Sequence, residues 1–335
     1  MELFEYSRPN GAKEAVAAGA RSNTAQQGAN VRFIAGGTTL YDLMKLDVER
    51  PKAVVDINHL PFDKVEKTGD GGLKIGALVR NSDLANHPLV RDGYAVLSQA
   101  ILAGASAQLR NRATTAGNLL QRTRCVYFRD TAAPCNKREP GSGCSAIEGF
   151  NRNLAILGTS EKCIASNPSD MNVALMALDA VVHIQGTKGE RTVPIAEFFL
   201  LPGDRPDREN VLQPGDLVTH VSLPPLPAGT VSHYLKLRDR ASYEFALAST
   251  AVVAQVRDGK FEDVRLAMGG VGAVPWRAKA AEAALKGGAV NPSAFRPAAE
   301  AVLKDARPQS QNGFKVELAA RCLVQALTLV TGSPR

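Results

Sequence analysis

Short apolar runs, glycine turns and amphipathic stretches follow one another along the first third of the chain. "VRFIAGG" predicts a strand that ends at two glycines, and the helical spacing of Leu40, Leu43 and Leu46 in "TTLYDLMKLD" predicts a helix directly after it. Two more apolar runs, residues 53–57 and 72–79, predict strands. "NSDLANH" and "GYAVLSQAILAGA" predict helices, the second of which ends at a glycine.

The rest of the chain mixes helices and strands without regular strand–helix alternation. "PSDMNVALMALD" predicts a helix that is capped by Ser169 or Asp170 and runs to Asp179, and "AVVHIQ" predicts the strand after it. A proline-rich connection containing "LPPLPAG" leads to the last domain, which opens with "SHYLKLRDRASYEFALASTAVVAQV". That domain ends in two predicted helices, near 279–286 and 315–331. The pattern predicts an α+β fold.

Length and composition are those of an ordinary globular protein. The chain has 335 residues, enough for two or three domains, with 44% hydrophobic and 22% charged residues. Its first residues, "MELFEYSRPNGAKEAVAAGA", have neither the basic region nor the apolar region of a signal peptide, so we expect no export signal of its own. The most apolar stretches are shorter than the roughly 20 residues that a membrane span needs, so we expect no span.

The net charge of +7 invites a nucleic-acid hypothesis, which the distribution of residues disfavours. Basic residues are spread along the chain, aromatic residues make up only 5%, and no basic helix is predicted. The densest basic cluster surrounds a group of cysteines and is either a solvated face or a surface for an anionic cofactor or a partner subunit. It comprises Arg110, Arg112, Arg122, Arg124, Arg129, Lys137 and Arg138.

Two segments have the composition of ligand-binding turns. In "FIAGGTT", Gly36 and Gly37 lie between a predicted strand and a predicted helix, where free backbone N–H groups suit a phosphate or pyrophosphate. "RATTAGNLLQ" offers hydroxyl groups followed by Gly117, which lets a ligand approach the backbone. On local evidence the glycine segment favours an ordinary turn without a ligand, and the second segment fits either interpretation. The glycine turn matches neither a Rossmann nor a P-loop motif.

Four of the five cysteines lie within forty residues, in a segment rich in Pro, Gly, Arg and Lys. Cys125, Cys135, Cys144 and Cys163 have the spacing C-x9-C-x8-C-x18-C, which lacks the close pairs typical of structural zinc. From the spacing alone they are ligands of an iron–sulfur cluster, partners in disulfides, or unrelated thiols. Cys322 lies in the apolar run "LAARCLVQAL" and is interpreted as a buried small hydrophobic residue.

No hydrolytic or mononuclear metal motif accompanies the cysteines. The five histidines, at 59, 87, 183, 220 and 233, are scattered without metal-ligand or catalytic-triad spacing, and no G-x-S-x-G sequence is present. A self-contained hydrolase is therefore not expected.

Taken in order, "RFIAGGTTLYDLMK", "RNRATTAGNLLQ", "PSDMNVALMALDA" and "LKLRDRASYEFALAS" resemble the FAD-binding subunits of the molybdenum hydroxylases. The resemblance covers essentially the whole chain. It implies a FAD-binding domain of two α/β subdomains over residues 1–225 and a smaller α+β domain over 226–335, related to the C-terminal domain of carbon monoxide dehydrogenase flavoproteins. The cysteine-rich segment at 122–165 resembles a narrower branch, the flavin subunits of periplasmic aldehyde oxidoreductases.

The resemblance also implies which residues contact FAD. The first segment wraps the pyrophosphate, the second contacts the flavin nucleotide, an aspartate contacts the cofactor, and two further residues approach the flavin ring. These residues are, in that order, Arg32, Phe33, Ile34, Ala35, Gly36, Gly37, Thr38 and Thr39; Thr114, Gly117 and Asn118; Asp170; and Val218 and Lys236.

The narrower resemblance implies that Cys125, Cys135, Cys144 and Cys163 hold a 4Fe-4S cluster. It further implies a heterotrimer, in which a large subunit carries the molybdenum cofactor and oxidises an aldehyde to a carboxylic acid, and a small subunit carries 2Fe-2S clusters. This chain would then contain no residue that acts on the aldehyde, and would pass the electrons through FAD to an external acceptor.

Three alternatives remain at this point. The chain is the flavin subunit of another molybdenum hydroxylase of the xanthine dehydrogenase type, a non-catalytic scaffold subunit, or a flavoprotein that acts alone. The resemblance implies a periplasmic location, reached folded with a partner that bears a twin-arginine signal, and the alternative is the cytoplasm.

Overall fold

The chain opens with a small parallel sheet. The computed structural model describes residues 1–332, beginning with β1 (Glu5–Ser7), α1 (Ala12–Gly19), β2 (Val31–Ile34), α2 (Leu40–Lys45) and β3 (Ala53–Asp56). The strand order is β1-β3-β2, so β3 lies in the middle. The predicted succession of strand, glycine turn and helix is present from β2 to α2.

A second, antiparallel sheet forms the centre of the larger domain. Its strands are β4 (Val65–Lys67), β5 (Leu73–Gly76), β6 (Val181–Gly186), β7 (Gly189–Pro194) and β8 (Leu217–Leu223). The order is β4-β5-β8-β6-β7, so β8 returns from far along the chain to pair with both β5 and β6.

Between β5 and β6, which the structure describes throughout, the chain forms eight helices and no named strand, and a further short helix follows β7. These helices are α3 (Asn81–Asn86), α4 (Pro88–Gly93), α5 (Ala95–Ala103), α6 (Ala107–Arg112), α7 (Thr115–Leu119), α8 (Val126–Arg129), α9 (Ser145–Glu148), α10 (Asp170–Ala177) and α11 (Ile195–Phe198). Helix α5 stops before Gly104, as predicted. Helix α10 is buried along its whole length and ends two residues before the predicted Asp179, which has a left-handed φ of 51° that a helix cannot continue through.

The C-terminal domain packs three helices on one antiparallel sheet. Its elements are β9 (Val231–Leu237), β10 (Ala248–Arg257), β11 (Lys260–Gly269), β12 (Trp276–Arg277), α12 (Lys279–Leu285), α13 (Pro292–Leu303) and α14 (Phe314–Thr331), and the strand order is β12-β11-β10-β9. The predicted domain runs to residue 335, and its last three residues lie outside the described residues. This mixture of helices and separate sheets confirms the α+β fold.

The sequence prediction of two terminal helices was incomplete, because α13 lies between them. Pro292 at the first position is compatible with a helix start, but Pro297 inside the helix is a signal that normally ends or kinks a helix. The burial of Phe295, Ala298 and Val302 shows why the helix forms, since these residues have helical spacing and face the domain core.

The cysteine-rich segment between α7 and α10 has little regular structure. It contains only the four-residue helices α8 and α9, and isolated bridges join Cys135 to Cys144 and Ser160 to Cys163. Its buried side chains form a separate small cluster in which three of the cysteines pack with Phe128.

Candidate functional site

The glycine turn after β2 packs directly against the second ligand-binding segment. A Cβ atom on Gly36 would lie 2.2 Å from the Arg112 carbonyl oxygen, so only glycine allows this approach. Gly37 has a φ of +78°, a left-handed conformation that also favours glycine. The two segments that the sequence singled out are therefore neighbours in space.

A first cavity of ≈ 220 Å³ opens beside this turn. The sequence-predicted residues that line it are Arg32, Phe33, Ile34, Ala35, Gly36, Gly37, Thr38, Thr39, Thr114, Gly117 and Val218. The Thr114 hydroxyl group accepts the Gly117 N–H at 3.2 Å and thereby caps α7. Many of the lining residues are small, among them Gly36, Gly37 and Gly117, which suits the close approach of a phosphate to the backbone.

The Arg32 side chain is committed to the protein rather than to the cavity centre. Its guanidinium group donates to both carboxylate oxygens of Glu49, at 3.0 and 2.9 Å, and to the carbonyl oxygens of Ala25 and Gln26. Arg32 therefore supports the wall of the cavity through these bonds. The resemblance placed it among the residues that wrap the pyrophosphate and did not separate direct contact from such support.

A second cavity of ≈ 320 Å³ contains the remaining predicted residues, Asn118, Asp170 and Lys236. Thr38, Thr39 and Gly117 line both cavities. The two spaces therefore meet at the glycine turn and together suit an elongated ligand. Val218 and Lys236, which the resemblance placed near the same ring, line different cavities.

Asp170 is held between two donors at the wall of the second cavity. Ser169, and not Asp170, caps α10, since its hydroxyl group accepts the Asn172 N–H at 3.1 Å. The Asp170 carboxylate instead accepts Lys236 Nζ at 2.8 Å and the Tyr234 hydroxyl group at 2.5 Å. Burial and the carboxylate raise the pKa of Tyr234 well above its usual value, so the phenol keeps its proton and donates.

Sequence reasoning missed two residues near the second cavity, Tyr234 and Asn81. Tyr234 lies two residues before the predicted Lys236 on β9, so strand alternation predicts that the two share a face. Asn81 carried no sequence signal. It lines the second cavity, is only 3% exposed, and its Oδ1 has no hydrogen-bond partner. A buried amide without a partner is suited to bind a polar ligand.

The structure brings the four clustered cysteines together. Cys125, Cys135 and Cys163 are buried in one cluster, Cys144 packs against it, and no disulfide joins them. Within residues 1–332, no three of the His, Cys, Asp and Glu side chains form a group that could hold a metal ion. Such a group binds one ion through several donors, whereas each thiolate of a four-cysteine iron–sulfur cluster binds a different iron atom.

Burial keeps two of these thiols protonated in the metal-free chain. It raises the pKa of Cys125 to about 12, although the N–H groups of Phe128 and Tyr127 stabilise the thiolate. Burial likewise raises the pKa of Cys163, and the Lys137 ammonium group opposes that change. Buried thiols become thiolates when bound metal supplies the compensating positive charge, so the donor set fits a thiolate-ligated cluster.

Most basic residues near the cysteines already have partners within the chain. Carboxylates pair with Arg122, Arg124 and Arg129, and backbone carbonyl groups accept from Arg110 and Arg138. The basic cluster seen in the sequence is therefore not a free cationic surface.

Comparisons with known proteins define the class to which this arrangement belongs. Residues 2–226 match the family described as the FAD binding domain in molybdopterin dehydrogenase, and residues 233–330 match the CO dehydrogenase flavoprotein C-terminal domain. The chain belongs to this family, the FAD-binding medium subunits of the molybdenum hydroxylases. It is an oxidoreductase subunit that binds FAD, and the two joined cavities with the unpartnered Asn81 amide fit such a dinucleotide.

Two individual relatives are similar to most of the chain. The chain is 52% identical over 328 residues to the aldehyde oxidoreductase FAD-binding subunit PaoB of Escherichia coli (strain K12), covering 98% of each chain. It is 28% identical to the glyceraldehyde dehydrogenase medium chain of Sulfolobus acidocaldarius, over 84% of this chain and 83% of that one.

A solved structure supports the same fold. Carbon monoxide dehydrogenase from Hydrogenophaga pseudoflava contains a chain that superimposes with a TM-score of 0.77 at 26% identity, covering 100% of this chain and 99% of that chain. In residues 1–332, no helix combines the length and apolar character needed to cross a membrane.

Proposed function

We propose that this chain is the FAD and 4Fe-4S subunit of a molybdenum-dependent aldehyde oxidoreductase. The observation that carries the cluster assignment is the convergence of Cys125, Cys135, Cys144 and Cys163 in one small, largely buried group without disulfides. The aldehyde assignment is supported by 52% identity, over 98% of both chains, to an aldehyde oxidoreductase subunit.

The residues divide into two binding sets. The glycine turn and α7 would hold the phosphates and sugar of FAD, while Asn81, Asp170 and Lys236 face the second cavity. Lys236 donates to Asp170 and to the Ala103 carbonyl oxygen at 3.1 Å, so one of its three ammonium N–H groups remains for a ligand. Bound FAD supplies the exchange between two-electron and one-electron transfer, and a 4Fe-4S cluster supplies a one-electron carrier.

The substrate reaction takes place on partner subunits in this proposal. An aldehyde and water give a carboxylic acid, two protons and two electrons at a molybdenum centre on a large subunit, and a small 2Fe-2S subunit carries the electrons toward this chain. The chain's own contribution is to orient FAD and to exclude water around the thiols, before the electrons leave for an external acceptor. We further propose a periplasmic heterotrimer, exported folded with a signal-bearing partner.

Iron analysis of the purified chain and of cysteine variants tests the cluster. The wild type should contain about four irons per chain, and Cys135→Ser and Cys144→Ser should lose or weaken that cluster. Cys322→Ser is the matched control, because this thiol is fully buried in α14, where it accepts the Thr250 hydroxyl group at 3.5 Å and donates to the Leu235 carbonyl oxygen at 3.9 Å. A chain without iron, with its four cysteines paired in disulfides, contradicts the cluster.

Substrate and location need separate measurements. Anaerobic addition of an aromatic or aliphatic aldehyde to the purified complex should bleach the flavin absorption, and a purine should not. Bleaching by the purine alone favours a xanthine dehydrogenase-type complex instead. Fractionation of the native cells should recover the complex from the periplasm, and exclusive recovery from the cytosol contradicts that part of the proposal.

A further inference from the structure

A chain of alternating charges runs between the first cavity and the cysteine-rich segment. Glu49 accepts Arg32 Nη2 at 2.9 Å and also pairs with Arg122. Arg122 pairs in turn with Glu209, whose second carboxylate oxygen lies 3.1 Å from Lys137 Nζ. Three cations and two carboxylates therefore form one connected series that retains a net positive charge.

Three members of this ion chain are shielded from water, and the Arg32 and Glu209 side chains are 19% and 24% exposed. The Glu49 side chain is 2% exposed, and those of Arg122 and Lys137 are each 11% exposed. Charges at such positions act over longer distances than surface charges, because less solvent screens them. Lys137 is further fixed by the Pro206 carbonyl oxygen, which accepts its ammonium group at 2.9 Å.

The two ends of the ion chain face the two proposed cofactor sites. Arg32 and Arg122 line the first cavity, beside the glycine turn. Arg122 also lines a third cavity, of ≈ 120 Å³, together with Lys137 and Cys163. The Nη2 atom of Arg122 is buried and has no hydrogen-bond partner. Arg32 also lines this third cavity, so two guanidinium groups of the ion chain lie between the first cavity and the space beside the cysteine.

We propose that this ion chain holds the Lys137 charge against the cysteine-bound cluster and thereby raises the reduction potential of the cluster. The inference rests on the proposed 4Fe-4S site and assigns Lys137 as a positioning residue, with Glu209 as the group that fixes it. Reduction adds a negative charge to a cluster, so a nearby buried cation favours the reduced form and a nearby buried carboxylate disfavours it.

The test is a redox titration of the cluster in the purified complex, followed by electron paramagnetic resonance. Lys137→Gln removes the cation and should lower the ratio of reduced to oxidised cluster at least tenfold at a fixed potential, which corresponds to about 59 mV for one electron. Glu209→Gln removes the carboxylate from the same ion pair and should shift the potential upward. Both variants break the ion pair between Lys137 and Glu209. If this pair has only a structural role, both variants should shift the reduction potential in the same direction, whereas the charge effect predicts opposite directions.

Lys162→Gln is the matched control for charge. Lys162 precedes Cys163 in sequence, but its side chain is 50% exposed and pairs with Asp204 at 2.9 Å. Solvent screening should leave the cluster potential unchanged within error in this variant. Full iron content with unchanged potentials in Lys137→Gln and Glu209→Gln overturns the proposal. Absence of iron in the wild type instead overturns the cluster itself, so the two failures are distinguished.

Discussion

The two cavities proposed for FAD and the cysteine-rich segment are built by different means. The cavities lie at the ends of β2, β8 and β9 and at the starts of α2, α7 and α10, so regular elements fix their walls. The cysteine segment is held instead by polar side chains that bind its backbone. Arg138 donates to the carbonyl oxygens of Tyr127 and Phe128, and Asn136 accepts the N–H groups of Gly141 and Gly143.

Part of this support comes from the other end of the chain. Asn312 Nδ2 donates to the carbonyl oxygens of Asn151 and Leu154, and the Lys315 ammonium group donates to those of Leu154 and Gly270 at 2.9 and 2.5 Å. Both side chains are fully buried. The walls of the two cavities are therefore fixed by regular elements and the turns between them, whereas the cysteine segment is also anchored by side chains of the C-terminal domain.

The largest effect should follow from Gly37→Val. A β-branched residue is strained at a φ of +78°, and its side chain adds bulk in the wall of the first cavity. We expect the purified complex to lose its flavin almost entirely while it retains iron. Absorption spectra and iron analysis of the same sample measure both quantities.

Gly28→Val controls for backbone strain in that experiment. Gly28 has the same φ of +78°, but a Cβ atom there would meet nothing within 4 Å. The Gly28→Val variant should be less stable than the wild type but should keep its flavin. Equal flavin contents in the two variants would remove Gly37 from the binding site.

Asn312→Ala tests the other region, because it should weaken the cysteine segment and leave the cavities proposed for FAD intact. The substitution removes one of the donors to the Asn151 and Leu154 carbonyl oxygens, which keep the Leu154 N–H and the Lys315 ammonium group. It also removes the Oδ1 that accepts the Gln309 N–H at 2.6 Å, so that this N–H loses its partner. We expect the free energy of unfolding to fall by about 2 kcal/mol and iron to be lost before flavin on mild heating.

Asn291→Ala is the matched change in the same domain. The exposed Asn291 side chain caps α13 by accepting the Ser293 N–H at 3.0 Å, and its loss should cost about 1 kcal/mol without early release of iron. If Asn312→Ala releases iron and flavin together, the cysteine segment does not depend on this anchor.

The same contrast explains how much the sequence predicted. The glycine turn and the strand at β2 follow from local rules, and the structure has both. Helix α13 was not predicted and has a contrary local signal, because Pro297 lies inside it, but burial of Phe295 and Val302 outweighs the missing N–H of Pro297.

Long-range pairings had no sequence signal that could be used. Glu49 and Glu209 are 160 positions apart and meet at one arginine, and Asn151 meets a loop near Asn312. Such contacts depend on how separate elements pack, which neither periodicity nor spacing encodes. The side-chain direction of Arg32, toward Glu49 instead of the cavity, was hidden for the same reason.

Lys315 should give the stability a specific pH dependence. Burial, followed by the charge of Arg152, lowers its pKa from 10.5 to about 7. Between these values the unfolded chain binds a proton that the folded chain lacks, so stability rises with pH from about 7 to about 10.5, at up to about 1.4 kcal/mol per pH unit. Lys315→Met should lack this contribution. Urea unfolding of both proteins at pH 7 and pH 9 measures the difference, and parallel changes would contradict the assignment.

The smallest effect should come from Tyr234→Phe, which probes the flavin site without changing its shape. The variant removes one of the two donors to Asp170, so the carboxylate interacts more strongly with Lys236 and the lysine is less available to a ligand. We expect the dissociation constant of FAD to rise about fivefold, or about 1 kcal/mol. Tyr94→Phe is the control, because Tyr94 is also 6% exposed and its hydroxyl group donates to the Pro224 carbonyl oxygen at 2.9 Å, away from both cavities. Equal flavin affinities in the two variants would show that the Tyr234 hydroxyl group does not support the site.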